Sequence, residues 1–87
     1  MNKFSWELTL TDISLDRKER FVEFVFHRIK PDLMASELGR VFDQVSVQDD
    51  VRECIRKNLS INGSCLVFEF GFTELIRSVG SNARIYE

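Results

Sequence analysis

The chain has 87 residues, of which 44% are hydrophobic and 30% are charged. This length suits one domain and leaves no room for two, so we expect residues 1–87 to form a single globular unit. The composition excludes a disordered chain, which needs few hydrophobic residues and a large net charge, and the net charge of −2 weakens a general nucleic-acid-binding role.

The amino-terminal segment and the cysteine count predict a reduced, cytoplasmic environment. We expect no signal peptide, because the first residues contain no unbroken apolar run, and no run approaches the roughly 20 residues of a membrane helix. Cys54 and Cys65 are the only cysteines, too few for a disulfide-built secreted domain. We therefore expect a cytoplasmic protein without membrane association, in which both cysteines act as small buried hydrophobic residues.

Residues 3–11 have the alternation of a half-buried strand. Polar residues separate the apolar side chains of one face, which are Phe4, Trp6, Leu8 and Leu10. This period of two predicts a strand with one face in the core. The polar and charged stretch that follows predicts a turn or loop.

Residues 21–29, FVEFVFHRI, fit either a strand or a helix. As a strand, the segment is apolar on both faces, and one of those faces consists of Val22, Phe24 and Phe26. As a helix, it has one apolar arc and a polar arc formed by Glu19, Glu23 and His27. The spacing of Asp16 and Glu19, which resembles a capping box, also fits the helix.

Two features favour the strand for this segment. Phenylalanine and valine are strand-favouring residue types, and Pro31 disfavours helical geometry at Lys30. We therefore predict that residues 3–11 and 20–29 form an antiparallel hairpin, and the helix remains the alternative.

Residues 32–45 have the clearest helical repeat. Their apolar positions recur on one face of a 3.6-residue period and are Met34, Leu38, Val41, Phe42 and Val45. Gly39 lies inside the segment, where glycine costs about 1 kcal/mol relative to alanine. We expect that glycine to mark a place where another backbone comes close.

The remaining elements follow from the same patterns. Residues 50–59 predict a helix capped by Asp50 and Glu53. A turn at Asn62-Gly63 precedes a buried strand at 65–72, then a short helix at 73–79 and a last short strand at 83–87.

Together these elements predict an α+β fold. We expect a small single domain whose antiparallel sheet, built from the N-terminal hairpin and the C-terminal strands, packs against two main helices. The predicted core consists of Trp6, Leu8, Phe24, Leu38, Val41, Phe42, Ile55, Leu66, Phe68 and Phe70.

Residue sets that carry out catalysis or bind cofactors do not occur in this sequence. His27 is the only histidine, so any histidine-dependent site would have to use it. Glycine-rich phosphate loops are absent, and the two cysteines have neither the spacing nor the histidine partners of a zinc site. We therefore expect no enzyme, no cofactor and no metal site.

Aromatic and basic residues alternate around residues 17–30. Phe21 and Phe24 lie between the bases Arg17, Lys18, Arg20, Arg28 and Lys30. A single-strand nucleic-acid binder stacks bases on exposed rings in a basic groove. Three acids in the same span weaken that interpretation, and we expect these rings to belong to the core.

Acidic residues are concentrated between residues 32 and 50. This segment has five acids and one base, whereas residues 16–30 and 51–60 carry a net positive charge. One interpretation is a solvated helix face with acids at helix starts. The other is an acidic surface that steers the protein onto a basic partner, such as a nucleic-acid-handling protein. The candidate partner-binding residues are Asp32, Glu37, Asp43, Asp49 and Asp50.

These observations favour a protein that functions by binding another protein. In type and size it resembles bacterial immunity proteins, antitoxins and phage-encoded inhibitors, although it shares no sequence motif with them. We therefore predict an inhibitor that occupies its partner's surface. The alternative is a self-associating structural or regulatory subunit, since a strand at 21–29 that is apolar on both faces would suit a homodimer interface.

Overall fold

Three antiparallel strands, three α-helices and a short 3-10 helix make up the computed structural model, which describes residues 3–9 and 15–82. In chain order the elements are β1 (Lys3–Thr9), α1 (Leu15–Met34), the 3-10 helix (Glu37–Arg40), α2 (Val45–Lys57), β2 (Leu59–Asn62), β3 (Cys65–Gly71) and α3 (Phe72–Asn82). The predicted α+β fold is confirmed. The strand predicted at residues 83–87 lies outside the described residues.

The sheet has β3 in its centre and β1 and β2 at its edges, with both pairings antiparallel. β1 and β3 pair along their whole length, so that Trp6 lies opposite Phe68 and Leu8 lies opposite Leu66. β2 and β3 form a hairpin whose turn contains Gly63, with a φ of 64° in the left-handed region that favours glycine. The predicted turn and buried strand are both confirmed.

The predicted N-terminal hairpin is wrong, because residues 21–29 are helical. α1 spans 20 residues and buries one continuous stripe, formed by Phe21, Val22, Val25, Phe26, Ile29 and Leu33. A strand would have divided these side chains between two faces, whereas the helix places all of them in one core cluster. Their burial outweighs the strand preference of phenylalanine and valine, which is a weaker effect.

Pro31 lies inside α1 without ending it. Its ring removes the N–H that would bond to the carbonyl of His27. The side chains of His27 and Pro31 are exposed, so this side of the helix faces water. α1 continues to Met34, and the N–H of Ala35 then donates to the Pro31 carbonyl at 3.1 Å. The expectation that Pro31 would disfavour helical geometry at Lys30 is wrong, since Lys30 lies inside α1.

The helix predicted at residues 32–45 is broken, since α1, the 3-10 helix and α2 each contain part of it. Ser36 lies at the break. Its hydroxyl donates to the Leu33 carbonyl and accepts from the N–H of Leu38 at 3.2 Å, which satisfies the end of one helix and the start of the next.

Gly39 lies against the end of α1. A Cβ atom at this position would overlap the carbonyl oxygen of Met34. The expected close approach of another backbone is therefore confirmed, and the tight return of the chain after α1 depends on a residue without a side chain.

α2 begins earlier than predicted, at Val45, so Asp50 lies inside the helix and the predicted cap at Asp50 and Glu53 is wrong. The helix ends where the Asn58 side-chain amide donates to the Cys54 carbonyl at 2.8 Å. Of the helices in the described part of the chain, none combines the length and the apolar character needed to cross a bilayer.

The core unites the helix-facing side of the sheet with all three helices. Five predicted core residues are buried, namely Leu38, Phe42, Ile55, Leu66 and Phe68, and three more pack against them while partly exposed, namely Trp6, Val41 and Phe70. The prediction is wrong for Leu8 and Phe24, which are 41% and 46% exposed. Leu8 lies near the end of an edge strand, and Phe24 lies outside the buried arc of α1.

Charged side chains join α1 to α2 along the surface. Arg56 pairs with Glu19 at 2.8 Å, and Arg52 pairs with Glu23 at 2.7 Å. The Arg52 guanidinium also lies 4.3 Å from the centroid of the Phe26 ring, a distance typical of a cation–π contact. The order of the two pairs shows that α1 and α2 run antiparallel, because the later residue on α1 pairs with the earlier one on α2.

The Glu19–Arg56 pair should make part of the stability depend on pH. Hydrogen bonds from Arg56 hold the pKa of Glu19 below its ordinary value of 4.5. A group whose pKa is lowered by folding stabilises the protein above the ordinary value, and this contribution is lost as the pH falls through the lowered value. Because both side chains are partly exposed, we expect a contribution below about 1 kcal/mol.

Urea unfolding of the parent and of Glu19→Gln at a series of pH values measures this contribution. The parent should be the more stable protein at neutral pH, and the difference should shrink at acidic pH. A difference that stays constant across the series would contradict the role given to the ionised carboxylate.

Candidate functional site

A largely apolar groove lies between the outer edge of β1 and one flank of α1. Its volume is about 320 Å³. We call it the β1–α1 groove, and its lining residues are Trp6, Glu7, Leu8, Arg17, Arg20, Phe21 and Phe24.

The alternation of β1 places Trp6 and Leu8 on the same, helix-facing side of the sheet. The Trp6 ring meets the Phe24 ring edge to face, with centroids 6.5 Å apart. Phe24 also stacks on Phe21 at 6.1 Å. The side chain of Phe24 is still 46% exposed, so the groove presents a large apolar surface to water. The contacts with Trp6 and Phe21 hold the Phe24 ring in place.

Basic side chains border the groove on α1. Arg17 and Arg20 line it, and the Arg28 guanidinium lies 5.7 Å from the centroid of the Phe24 ring. Arg20 pairs with Asp16 at 3.1 Å, but both side chains are more than 70% exposed, and such a pair contributes little. Glu7 also lines the groove, so its charged lining consists of two arginines and one glutamate.

β1 borders the groove with an edge that no strand of the described residues covers. It pairs with β3 on one side only. An edge strand presents backbone N–H and C=O groups that can bond to another chain. β1 is 7 residues long, so this edge is longer than that of β2, which has 4 residues.

The five acidic residues predicted to bind a partner lie on four successive segments. Asp32 lies in the last turn of α1, half-buried beside a shallow depression that Ser36 and Phe72 also line. Glu37 begins the 3-10 helix, Asp43 lies in the following turn, and Asp49 and Asp50 lie in α2.

Asp49 and Asp50 are neighbours in this acidic set but have different surroundings. Asp49 accepts a hydrogen bond from Arg52 at 3.2 Å, which compensates part of its charge. Asp50 lies about 100° further around the same helix and is less exposed. Whether these acids contact a partner stays a prediction.

The remaining chemical candidates lie apart from the groove lining. His27 is exposed on α1, and its Nε2 atom is 4.0 Å from a Glu23 carboxylate oxygen. Cys54 is buried and Cys65 half-buried, and both are free thiols. Burial raises the pKa of the Cys54 thiol, which keeps it protonated and unreactive. Within residues 3–9 and 15–82, no three acidic, histidine or cysteine side chains are grouped in a way that could hold a metal ion.

The groove was only partly foreseeable from the sequence. The alternation of bases and phenylalanines was visible, but on the strand interpretation these residues divide between two faces. On a helix, Arg17, Phe24 and Arg28 share one flank because their spacing follows three- and four-residue steps. That spacing was the signal for the α1 side, whereas its meeting with Trp6 depends on the tertiary fold.

No protein-family model, no curated protein and no solved structure matches this chain.

Proposed function

We propose that the protein functions by binding another protein, without catalysing a reaction, and that the β1–α1 groove is its docking surface. The observation that carries this proposal is the exposed Phe24 ring, held between Trp6 and Phe21 beside an open strand edge. An inhibitor that blocks a partner's own site is one form of this function.

Two physical properties of such a groove favour binding, namely its apolar surface and its immobilised aromatic rings. Burying apolar surface contributes about 25 cal/mol per Å², and aromatic rings already held in place lose little conformational entropy on binding. Binding energy at protein interfaces is concentrated in a few aromatic and arginine side chains near the centre. The groove brings both residue types together.

The acidic residues between Asp32 and Asp50 remain a second candidate contact. Exposed charges at the rim of an interface mainly change the association rate, and salt screens them. A basic region of the partner near this acidic segment would therefore accelerate binding. This contribution is separate from docking into the groove.

Replacing Phe24 with aspartate should reduce partner binding at least about tenfold, because a charge then lies on the apolar floor of the groove. The matched control is Met34→Asp, which places the same charge at another exposed apolar position of α1, 54% exposed. The partner is captured from the native cell with the parent, identified and purified. Its affinity for all three proteins is then measured through the fluorescence of Trp6, the only tryptophan.

The comparison is decisive if both variants melt close to the parent. Equal affinities for Phe24→Asp and the parent would exclude the groove as the docking surface. A triple variant with asparagine at Asp43, Asp49 and Asp50 belongs in the same series, and slower association at low salt would assign the steering role to these acids.

The alternative function, a homodimer, has one observation in its favour, which is that no other strand of the described residues pairs with the outer edge of β1. Light scattering over a range of concentrations distinguishes it. A stable dimer that Phe24→Asp dissociates would assign the groove to self-association instead of a separate partner.

A further inference from the structure

We propose that the β1–α1 groove binds an extended segment of the partner, which pairs with β1 as a fourth strand and carries apolar and acidic side chains. This inference rests on the proposed function and specifies the chemistry of the partner. It follows from the position of the groove, the period of a strand and the charge along α1.

The position of the groove favours an extended segment. No strand within residues 3–9 and 15–82 covers the outer edge of β1, and α1 lies on the helix-facing side of that edge with the groove between them. An added strand lies about 4.8 Å from its neighbour, bonded through the backbone. A segment as long as β1, 7 residues, could pair along the whole edge while its side chains enter the groove.

The period of a strand determines which side chains of the segment enter. Alternate residues would point to the helix-facing side, where they meet Trp6, Leu8 and Phe24. The intervening residues would lie beside Ser5, Glu7 and Thr9 on the opposite face. Apolar residues should therefore occur at every second position of the segment.

The charge along α1 predicts which polar side chains the segment carries. The flank of α1 that borders the groove carries Arg17, Arg20 and Arg28, whereas the groove lining contains one acid, Glu7. Because the arginines outnumber that acid, acidic side chains in the helix-facing row of the segment would find guanidinium partners. A second copy of this chain, paired edge to edge, would bring the same three guanidinium groups from both copies towards each other. Like charges disfavour that pairing, so we assign the segment to a different protein, in which the segment itself is acidic.

The first experiment selects the segment without knowing the partner. A library of random peptides, each as long as β1, is displayed on phage, bound to the full chain and depleted on Phe24→Asp. Enriched peptides should have apolar residues at alternate positions and an excess of aspartate and glutamate. Apolar residues spaced three and four apart would show helix docking and overturn strand addition, while the proposed function would stand.

The second experiment tests backbone pairing with one enriched peptide. Methylating the backbone nitrogens of every second residue removes hydrogen-bond donors from one edge of the strand only. One of the two alternate methylation patterns should weaken binding at least about tenfold, and the other should change it little. Hydrogen exchange of β1 amides should slow in the complex.

Equal effects of the two methylation patterns would overturn the pairing with β1. A library from which no peptide is enriched after depletion on Phe24→Asp, or a single-stranded oligonucleotide that displaces the enriched peptides, would overturn the peptide specificity of the groove. In each case the capture of a partner protein, compared between the parent and Phe24→Asp, decides the proposed function separately.

Discussion

Replacing Phe68 with alanine should destabilise the protein by about 3–5 kcal/mol, the range for removing a large ring from a core. Phe68 is fully buried in the central strand, between Trp6 on β1 and Leu59 on β2. Domains of this size have only about 5–15 kcal/mol of stability, so the variant should be close to unfolding. Urea unfolding followed by circular dichroism measures the loss.

Phe24→Ala is the matched control, since it removes the same ring from a site that is 46% exposed. We expect it to cost about 1 kcal/mol or less, because much of this ring already contacts water. In a small domain each 1 kcal/mol lowers the melting temperature by about 4–8 °C. If Phe68→Ala melted as high as Phe24→Ala, Phe68 would not lie in the core.

Gly39→Ala should also destabilise the protein strongly, although alanine is the better helix former by about 1 kcal/mol. The added Cβ would overlap the Met34 carbonyl, which belongs to the backbone and cannot rotate away. Either the 3-10 helix or the end of α1 must shift, which would also disturb the buried Leu38. We expect a loss of roughly 1–3 kcal/mol, as for other overpacked sites, measured by the same unfolding experiment.

Gly71→Ala is the control for this substitution. A Cβ atom there would make ordinary contacts of 3.6 to 3.7 Å with the Glu74 side chain, so we expect little change in stability. A Gly39→Ala variant as stable as the parent would contradict the close approach of the two backbones. A loss of equal size at both glycines would show that the effect is not specific to Gly39.

The parts of the fold that the sequence predicted are those in which local pattern and burial agree. The alternation of Leu66, Phe68 and Phe70 reported a strand whose one face packs against helices, and β3 lies where it was expected. In residues 21–29 local preference and burial disagree, because phenylalanine and valine prefer strands whereas the spacing of these residues suits one buried helix face. The strand propensity of these residues was given too much weight there. Pro31 was also given too much weight, because it lies on the exposed side of α1, where the loss of one backbone hydrogen bond is tolerated.

Other features depended on contacts that no local pattern contains. The period of β1 identified a strand but not its partner, and β1 pairs with β3, which follows α1, α2 and β2 in the sequence. The candidate site shares this limit, since α1 supplies one wall of the groove and β1 supplies the other. The break at Ser36, by contrast, comes from a local cap, because its hydroxyl bonds to groups two and three residues away, and the helical repeat of residues 32–45 was given more weight than this cap.

The pairing of β1 with β3 has a consequence for the order in which the protein can be built. Lys3 lies opposite Gly71, so β1 leaves the ribosome before α1, α2 and β2 and has no strand partner until β3 has been made. α1 and α2, by contrast, lie close together in sequence and can associate before β3 exists. Closing so long a loop is a slow and entropically costly step. The apolar side of β1 stays exposed to water until β1 has paired with β3.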